Sequence, residues 1–222
     1  MFFKSKKSTN IKDNESISLI ENQVKIMNEY NGTNFKYVEG RDYSDPMSVS
    51  GNVPKRGLGD GWHGVLIDYI EKYRGYDKKM NIALIAKSKE ACEDLNKLFK
   101  NSNIDNIVDY QDKKTGIDFD IDLNIKQNFS AKYDIVLTQA LLEHIVNPFM
   151  AIENFADLLI DNGLLVLHTH NIKMQYHPYP IDCIRFYKDF FENITQYIDL
   201  ELLEYLEASC HIFCVYRRII KK

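Results

Sequence analysis

Between Tyr133 and Leu167 the chain changes its hydrophobic period twice, and few folds accommodate that. Ile135-Val136-Leu137, just after Asp134, is a β-rich apolar run too short for a helix, the pattern of a buried strand. From Leu141 to Leu159 the apolar residues return every three or four positions: Leu141, Leu142, Ile145, Phe149, Ile152, Phe155, Ala156 and Leu159. That spacing predicts an amphipathic helix with one core face. Asp161-Asn162-Gly163 is expected to end it, because glycine accepts the left-handed conformation of a C-cap. Leu164 to Leu167 then predicts a second buried strand. Strand, helix and strand with short joins make a βαβ unit, whose crossover sets the two strands parallel.

Ligands of such sheets bind beyond the carboxyl ends of the strands. Here those ends carry Thr138-Gln139 and His168-Thr169-His170, and the following loop adds His177, Tyr179, Asp182 and Arg185. Packing alone does not require so much polar chemistry in one place.

Asp134 opening a strand, Leu142-Glu143-His144, the Asn162-Gly163 turn and the run HPYPIDCIRF from His177 to Phe186 together carry a resemblance. The region resembles the second half of class I S-adenosylmethionine-dependent methyltransferases. The last segment resembles a His-x-Tyr-Pro-x-Asp-x-x-Arg-Phe pattern of a bacterial subgroup linked to surface-polysaccharide synthesis. The resemblance implies an α/β fold: a Rossmann-like, seven-stranded, mostly parallel sheet with helices on both faces and a C-terminal antiparallel hairpin. It covers roughly residues 62–219 in element order, but matches in motif only over 133–186.

The rest of the chain fits that order. Residues 1–61 read as an N-terminal extension, with a helix over about Glu15 to Tyr30 and a loop or lid from 32 that holds six of the ten glycines. Lys55 to Gly61 is either a phosphate cradle or a plain surface turn. Residues 62–222 form the expected methyltransferase-like domain. A helix from Trp62 to Tyr73 leads into a strand at Ile82 to Ile85, a helix at Lys89 to Asn101 and a strand at Asn106 to Asp109. Ile117 to Asn124 alternates apolar and acidic residues, a period-two strand. A helix at Phe186 to Tyr197 and an antiparallel pair, Leu200 to Leu206 with His211 to Ile219, close the domain.

By resemblance, S-adenosylmethionine is the expected cofactor. Its expected contacts are Ile85 and Ala86, Asp109 at the ribose with Asp112 in reserve, Asp122-Leu123 at the adenine, and Thr138 and Gln139 at the methionine portion. The family carries glycines after its first strand, whereas Ile85-Ala86-Lys87-Ser88-Lys89 has none. Either the backbone near Ala86 serves instead, or the site has lost its cofactor. Substrate contacts are expected from His144, Tyr179, Asp182 and Arg185. Asp182 and Arg185 could equally pair with each other. A hydroxyl acceptor profits from a general base, and His170 and His177 are the candidates. His168 shares a strand face with His170. Three nearby histidines also suit a transition ion, but carboxylates at ligand spacing are not obvious, and no metal is assigned.

The net charge of −4 and the lack of a long basic block argue against a nucleic-acid partner. No apolar run approaches membrane-spanning length, and the four cysteines form no CxxC pair. A cytoplasmic protein with a small-molecule acceptor is expected, its oligomeric state open and a homodimer one option. The expected reaction is O-methylation of a sugar, phospho-sugar or phosphoramidate-type precursor of a capsule or surface polysaccharide. The alternatives are an inactive methyltransferase-like scaffold that binds a partner, a histidine-metal hydrolase and, less favoured, a nicotinamide oxidoreductase.

Overall fold

A computed structural model describes residues 64–87, 89–113, 116–177 and 181–219. The expected helix at 15–30, the glycine-rich stretch with Lys55 to Gly61, and Tyr179 lie outside the described residues. In chain order the elements are α1 (Gly64–Arg74), β1 (Asn81–Lys87), α2 (Lys89–Leu98), β2 (Asn103–Lys113), β3 (Gly116–Phe119), β4 (Tyr133–Gln139), α3 (Pro148–Leu158), β5 (Leu159–His170), α4 (Lys188–Asn193), β6 (Leu200–Ala208) and β7 (His211–Arg218). Among them no helix is long and apolar enough to cross a membrane.

The strand order is β3-β2-β1-β4-β5-β7-β6. β2, β1, β4 and β5 run parallel, and β7 lies antiparallel between β5 and β6. The Rossmann-like α/β class and the C-terminal hairpin are therefore as expected. The expected count of seven strands needs correcting: six strands form the sheet proper, and β3, four residues long, is only a hairpin arm folded antiparallel onto the end of β2. The alternating run does not continue as a strand to Asn124. Its aspartates bond to backbone N–H groups instead: Asp120 Oδ1 accepts from the Asp109 N–H of β2 at 2.8 Å, and Asp122 Oδ1 from the Asn124 N–H two residues on at 2.9 Å. Such side-chain bonds compete with a ladder.

Two apolar layers cover the sheet. Leu66, Ile67 and Ile70 of α1 with Leu95 and Phe99 pack on Ile82, Leu84, Ile135, Leu137 and Val166. Ala151, Ile152 and Phe155 of α3, with Phe191 and Ile194, pack on the other face against Ile85, Val136, Leu165 and Leu167. Residues alternating along each strand thus feed two cores, which explains why the strands read as continuous apolar runs.

The helix expected from Leu141 is shorter than its period suggests. Leu142–His144 is a separate 3-10 turn, and α3 begins at Pro148 with Asn147 as N-cap, its side chain accepting from the Met150 N–H. Proline disfavours the helical conformation at the residue before it, so the helix cannot run back through Asn147. The C-terminal turn also differs. The left-handed residue is Asn162, at φ 61°, not Gly163. Gly163 is required by space: a Cβ there would lie 2.9 Å from the Ile160 carbonyl oxygen and 3.1 Å from that of Tyr133. Both are backbone atoms that cannot swing aside. Gly163→Ala should therefore destabilise the fold by about 1–3 kcal/mol, the usual range for overpacking, read as a lowered midpoint in thermal unfolding.

Candidate active site

The sheet changes direction of winding between β1 and β4, the switch point at which α/β sheets bind ligands. At the carboxyl end of β1, Ile85 is fully buried in the core and Ala86 follows at φ 56°. The chain thus makes with an alanine the left-handed turn for which glycine is the unstrained residue. Ala86→Gly should stabilise the fold by about 1 kcal/mol, the relief of left-handed strain exceeding the entropy glycine adds to the unfolded chain. Ala83→Gly, in the middle of the same strand, should do the opposite, and paired thermal melts check both.

Strand register sets Asp109 of β2 opposite Lys87 of β1, with the exposed Asp109 carboxylate accepting from Asn106 Nδ2 at 2.8 Å. Thr138, at the end of β4, is fully buried, and among the described residues its Oγ1 has no hydrogen-bond partner. Gln139 follows it, half-buried. Asp122 is turned into its own loop, and Leu123 is a core residue packed beneath α3. Of the expected cofactor contacts, Ala86, Asp109, Thr138 and Gln139 stand at the carboxyl edge of the sheet. Ile85 and Leu123 contribute side chains to the core instead.

Glu143 is the centre of the cluster, whereas the resemblance singles out only its neighbour His144 in the Leu-Glu-His triplet. Leu142 and Ile145 on either side are core residues and draw the turn inward, so Glu143 is fully buried. Its Oε2 accepts from the Thr169 hydroxyl at 2.6 Å and its Oε1 from His170 Nδ1 at 2.5 Å. Its main-chain carbonyl accepts from the Cys183 and Ile184 N–H groups, which ties the loop after β5 to the same turn. Burial alone would raise this carboxyl, but the His170 ring, His144 and the Thr169 hydroxyl outweigh it and hold the group ionised, well below the usual carboxylate range. The available signal was a carboxylate set in the apolar run Ala140 to Val146, where an acid needs partners to be buried.

His177 and His144 complete this cluster. Their rings meet edge to face at 5.0 Å, and His177 lies 5.2 Å from the His170 ring. His144 Nε2 is 3.8 Å and His177 Nε2 3.9 Å from Glu143 Oε1. Burial lowers His177 to about 4, with Asp182 opposing and His170 adding to the effect, so the ring is neutral at ordinary pH. Around its Nδ1 stand two acceptors, the Gln175 carbonyl at 3.1 Å and Asp182 Oδ2 at 3.4 Å, against one donor, Arg185 Nη2 at 3.2 Å. Two acceptors against one donor favour hydrogen on Nδ1 and a lone pair on Nε2.

Asp182 and Arg185 are drawn to each other, the pairing alternative. The guanidinium binds the Asp182 carboxylate through both Nη atoms and spends its other donors on the carbonyls of Met174, Gln175 and Ile184. Asp182 Oδ2 also accepts from the His177 N–H at 2.7 Å. The pair is therefore a clasp that shapes the loop carrying His177.

Lys87 lies near enough to Glu143 to feel its charge. Burial lowers the lysine to about 8, and Glu143 opposes that shift. The described residues also include an open polar depression of about 580 Å³, lined by Asn81, Asn103, Asp105 and Tyr133 among others. It opens at the amino ends of the strands, away from this chemistry. Its groups largely satisfy one another, as in Tyr133 Oη donating to Asp105 at 2.9 Å.

No family model and no curated protein matches the chain. Among solved structures, similar chains include one from the complex between the Haloferax volcanii Trm112 methyltransferase activator and a candidate methyltransferase, at 8% identity over 71% of this chain and 90% of that one, TM-score 0.47. A candidate methyltransferase of Bacillus halodurans matches at 8% identity over 71% and 100%, TM-score 0.46. The [4+2]-cyclase SpnF matches at 9% over 91% and 95%, TM-score 0.47. The functional reading comes from the site itself.

Proposed function

We propose that the protein is an S-adenosylmethionine-dependent methyltransferase acting on a hydroxyl of a small sugar or phospho-sugar. The observation that carries the reading is the meeting of two sets of groups at one edge of the sheet. Ala86, Asp109, Thr138 and Gln139 stand at the switch point, and the Glu143–His170–His177 cluster stands beside them past β4 and β5. The left-handed Ala86 and the unpartnered Thr138 hydroxyl suit a ligand at that edge. When bound, the cofactor supplies a methyl group on a positively charged sulfur. Ala86 backbone, Thr138 and Gln139 would hold its amino-acid portion, and Asp109 would accept from its ribose hydroxyls. Glu143 contributes negative charge that favours a sulfonium nearby. His177 Nε2 takes the acceptor's hydroxyl proton as the oxygen gains the methyl. The polysaccharide context rests on the likeness of the His177 to Phe186 segment alone, an associational ground.

Lys87 favours a second reading. A cationic amine at the end of β1 repels a sulfonium, and together with the missing glycines it suits a scaffold that no longer takes the cofactor. Isothermal titration of the full chain with S-adenosylmethionine and S-adenosylhomocysteine decides between the two. Micromolar binding is expected. Millimolar or absent binding of both overturns the methyltransferase reading in favour of the scaffold.

A further inference from the structure

Five of the chain's six histidines gather at one end of the sheet, and the proton-transfer role proposed above uses only one of them. His168, His170 and His211 form their own group. Their burial is nearly complete, and one ring nitrogen of each lies within 4.8 Å of the others. The backbone explains why. His170 of β5 stands directly opposite His211 of β7, and His168 is two residues back on the same face as His170. Position, cross-strand partner and second neighbour make a triangle on two rigid paired strands.

We propose that these three imidazoles are a binding site for one divalent transition ion, of which Zn²⁺ is the reference case, with Glu143 as the carboxylate behind His170. Imidazole suits zinc, copper, iron and nickel rather than the oxygen-seeking alkaline earths. The carboxylate sits where metal-binding histidines commonly carry one. Glu143 Oε1 lies 2.5 Å from His170 Nδ1, so that nitrogen faces the carboxylate as donor and Nε2 is the one left to ligate. His168 Nε2 and His211 Nδ1 stand 2.7 Å apart, at hydrogen-bond distance. Tetrahedral zinc with Zn–N bonds of about 2.0–2.1 Å holds two ligand nitrogens about 3.3 Å apart, so a small opening of the pair admits the ion. Phe213, its ring 4.8 Å from that of His168, backs the site with apolar surface. The double charge of the ion offsets the buried carboxylate. Three protein ligands leave a fourth position for water or a substrate oxygen.

The test uses the full chain stripped of metal by chelator and titrated with Co²⁺, with absorption in the visible range as the readout and Zn²⁺ displacement as the check. One equivalent is expected, with the intense bands of four-coordinate cobalt. In the zinc-loaded chain, nitrogen-15 shifts of the imidazoles should move for His168, His170 and His211 but not for His177. That readout works on the unaltered protein even if substitutions unfold it. His211→Gln should weaken Zn²⁺ binding by more than the roughly 10–100-fold typical of losing a mere supporting partner. Substoichiometric binding by the unaltered chain overturns the proposal, as does binding unaffected by His211→Gln. So do imidazole shifts at His144 and His177 instead, which put the ion on the neighbouring group with Glu143. Metal binding and cofactor binding are read separately, so a chain that takes Zn²⁺ but no S-adenosylmethionine loses only the methyltransferase reading.

Discussion

Glu143→Ala should lower the stability of the fold by about 2–6 kcal/mol, one to three for each of the two buried donors left without an acceptor. The donors are the Thr169 hydroxyl and His170 Nδ1, both in fully shielded positions at the end of β5. For a domain of this size each kcal/mol moves the thermal midpoint by roughly 2–4 °C, so the loss is readable by calorimetry. Glu143→Gln keeps the volume and one acceptor oxygen and should lose about half as much. Thr169→Val in the Glu143→Ala background removes one of the orphaned donors, and the double variant should be more stable than the sum of the single effects predicts. Additive losses would mean that the carboxylate and the hydroxyl are not coupled, contrary to the geometry.

On the proposed methyltransferase reading, His177→Ala should reduce turnover by about 10²–10⁴-fold, the contribution of a positioned general base. Its stability cost should stay near 1 kcal/mol, since the Asp182–Arg185 clasp holds the loop through the main-chain N–H of residue 177, which the substitution keeps. The rate is measured as S-adenosylhomocysteine release with a pool of phospho-sugar acceptors, and stability as the thermal midpoint. Equal losses in both would make this imidazole architectural. Arg185→Ala should behave in the reverse manner. Its donors hold the loop together, so stability should fall first, and cofactor affinity should be spared.

The sheet was the legible part of the sequence. Ile82 to Ile85, Ile135 to Leu137 and Leu164 to Leu167 are apolar runs because both faces of those strands are buried, and buried strands have no alternative reading beside short joins. The C-terminal hairpin was equally plain from the two runs around Ser209. Periodicity failed where a single residue overruled it. Leu141 and Ile145 keep the helical spacing, but Pro148 forbids the helix to pass, and the core uses those side chains from a 3-10 turn instead. The aspartates at 120 and 122 alternate like strand residues, yet each bonds to nearby backbone and ends the ladder.

At the site, His170 and His177 were visible as polar groups past strand ends, and they do meet. Glu143 was hidden by its more familiar neighbour in Leu-Glu-His, and His211 by an apolar strand context. A cross-strand contact depends on the β5–β7 register, which no local pattern in one strand reports. Arg185 shows the converse: spacing of three made both a clasp and a substrate clamp plausible, and only the carbonyls of Met174 and Gln175 reveal where its remaining donors go.

The placement of β7 between β5 and β6 has a consequence for synthesis. Among the described strands, this interior one is also the last to be translated. Until residues up to Arg218 have emerged, β5 presents an unpaired apolar border, the kind of surface that recruits other nascent chains. Covering the border of β5 is therefore tied to translating β7, and a chain interrupted shortly before that strand carries a sticky open flank.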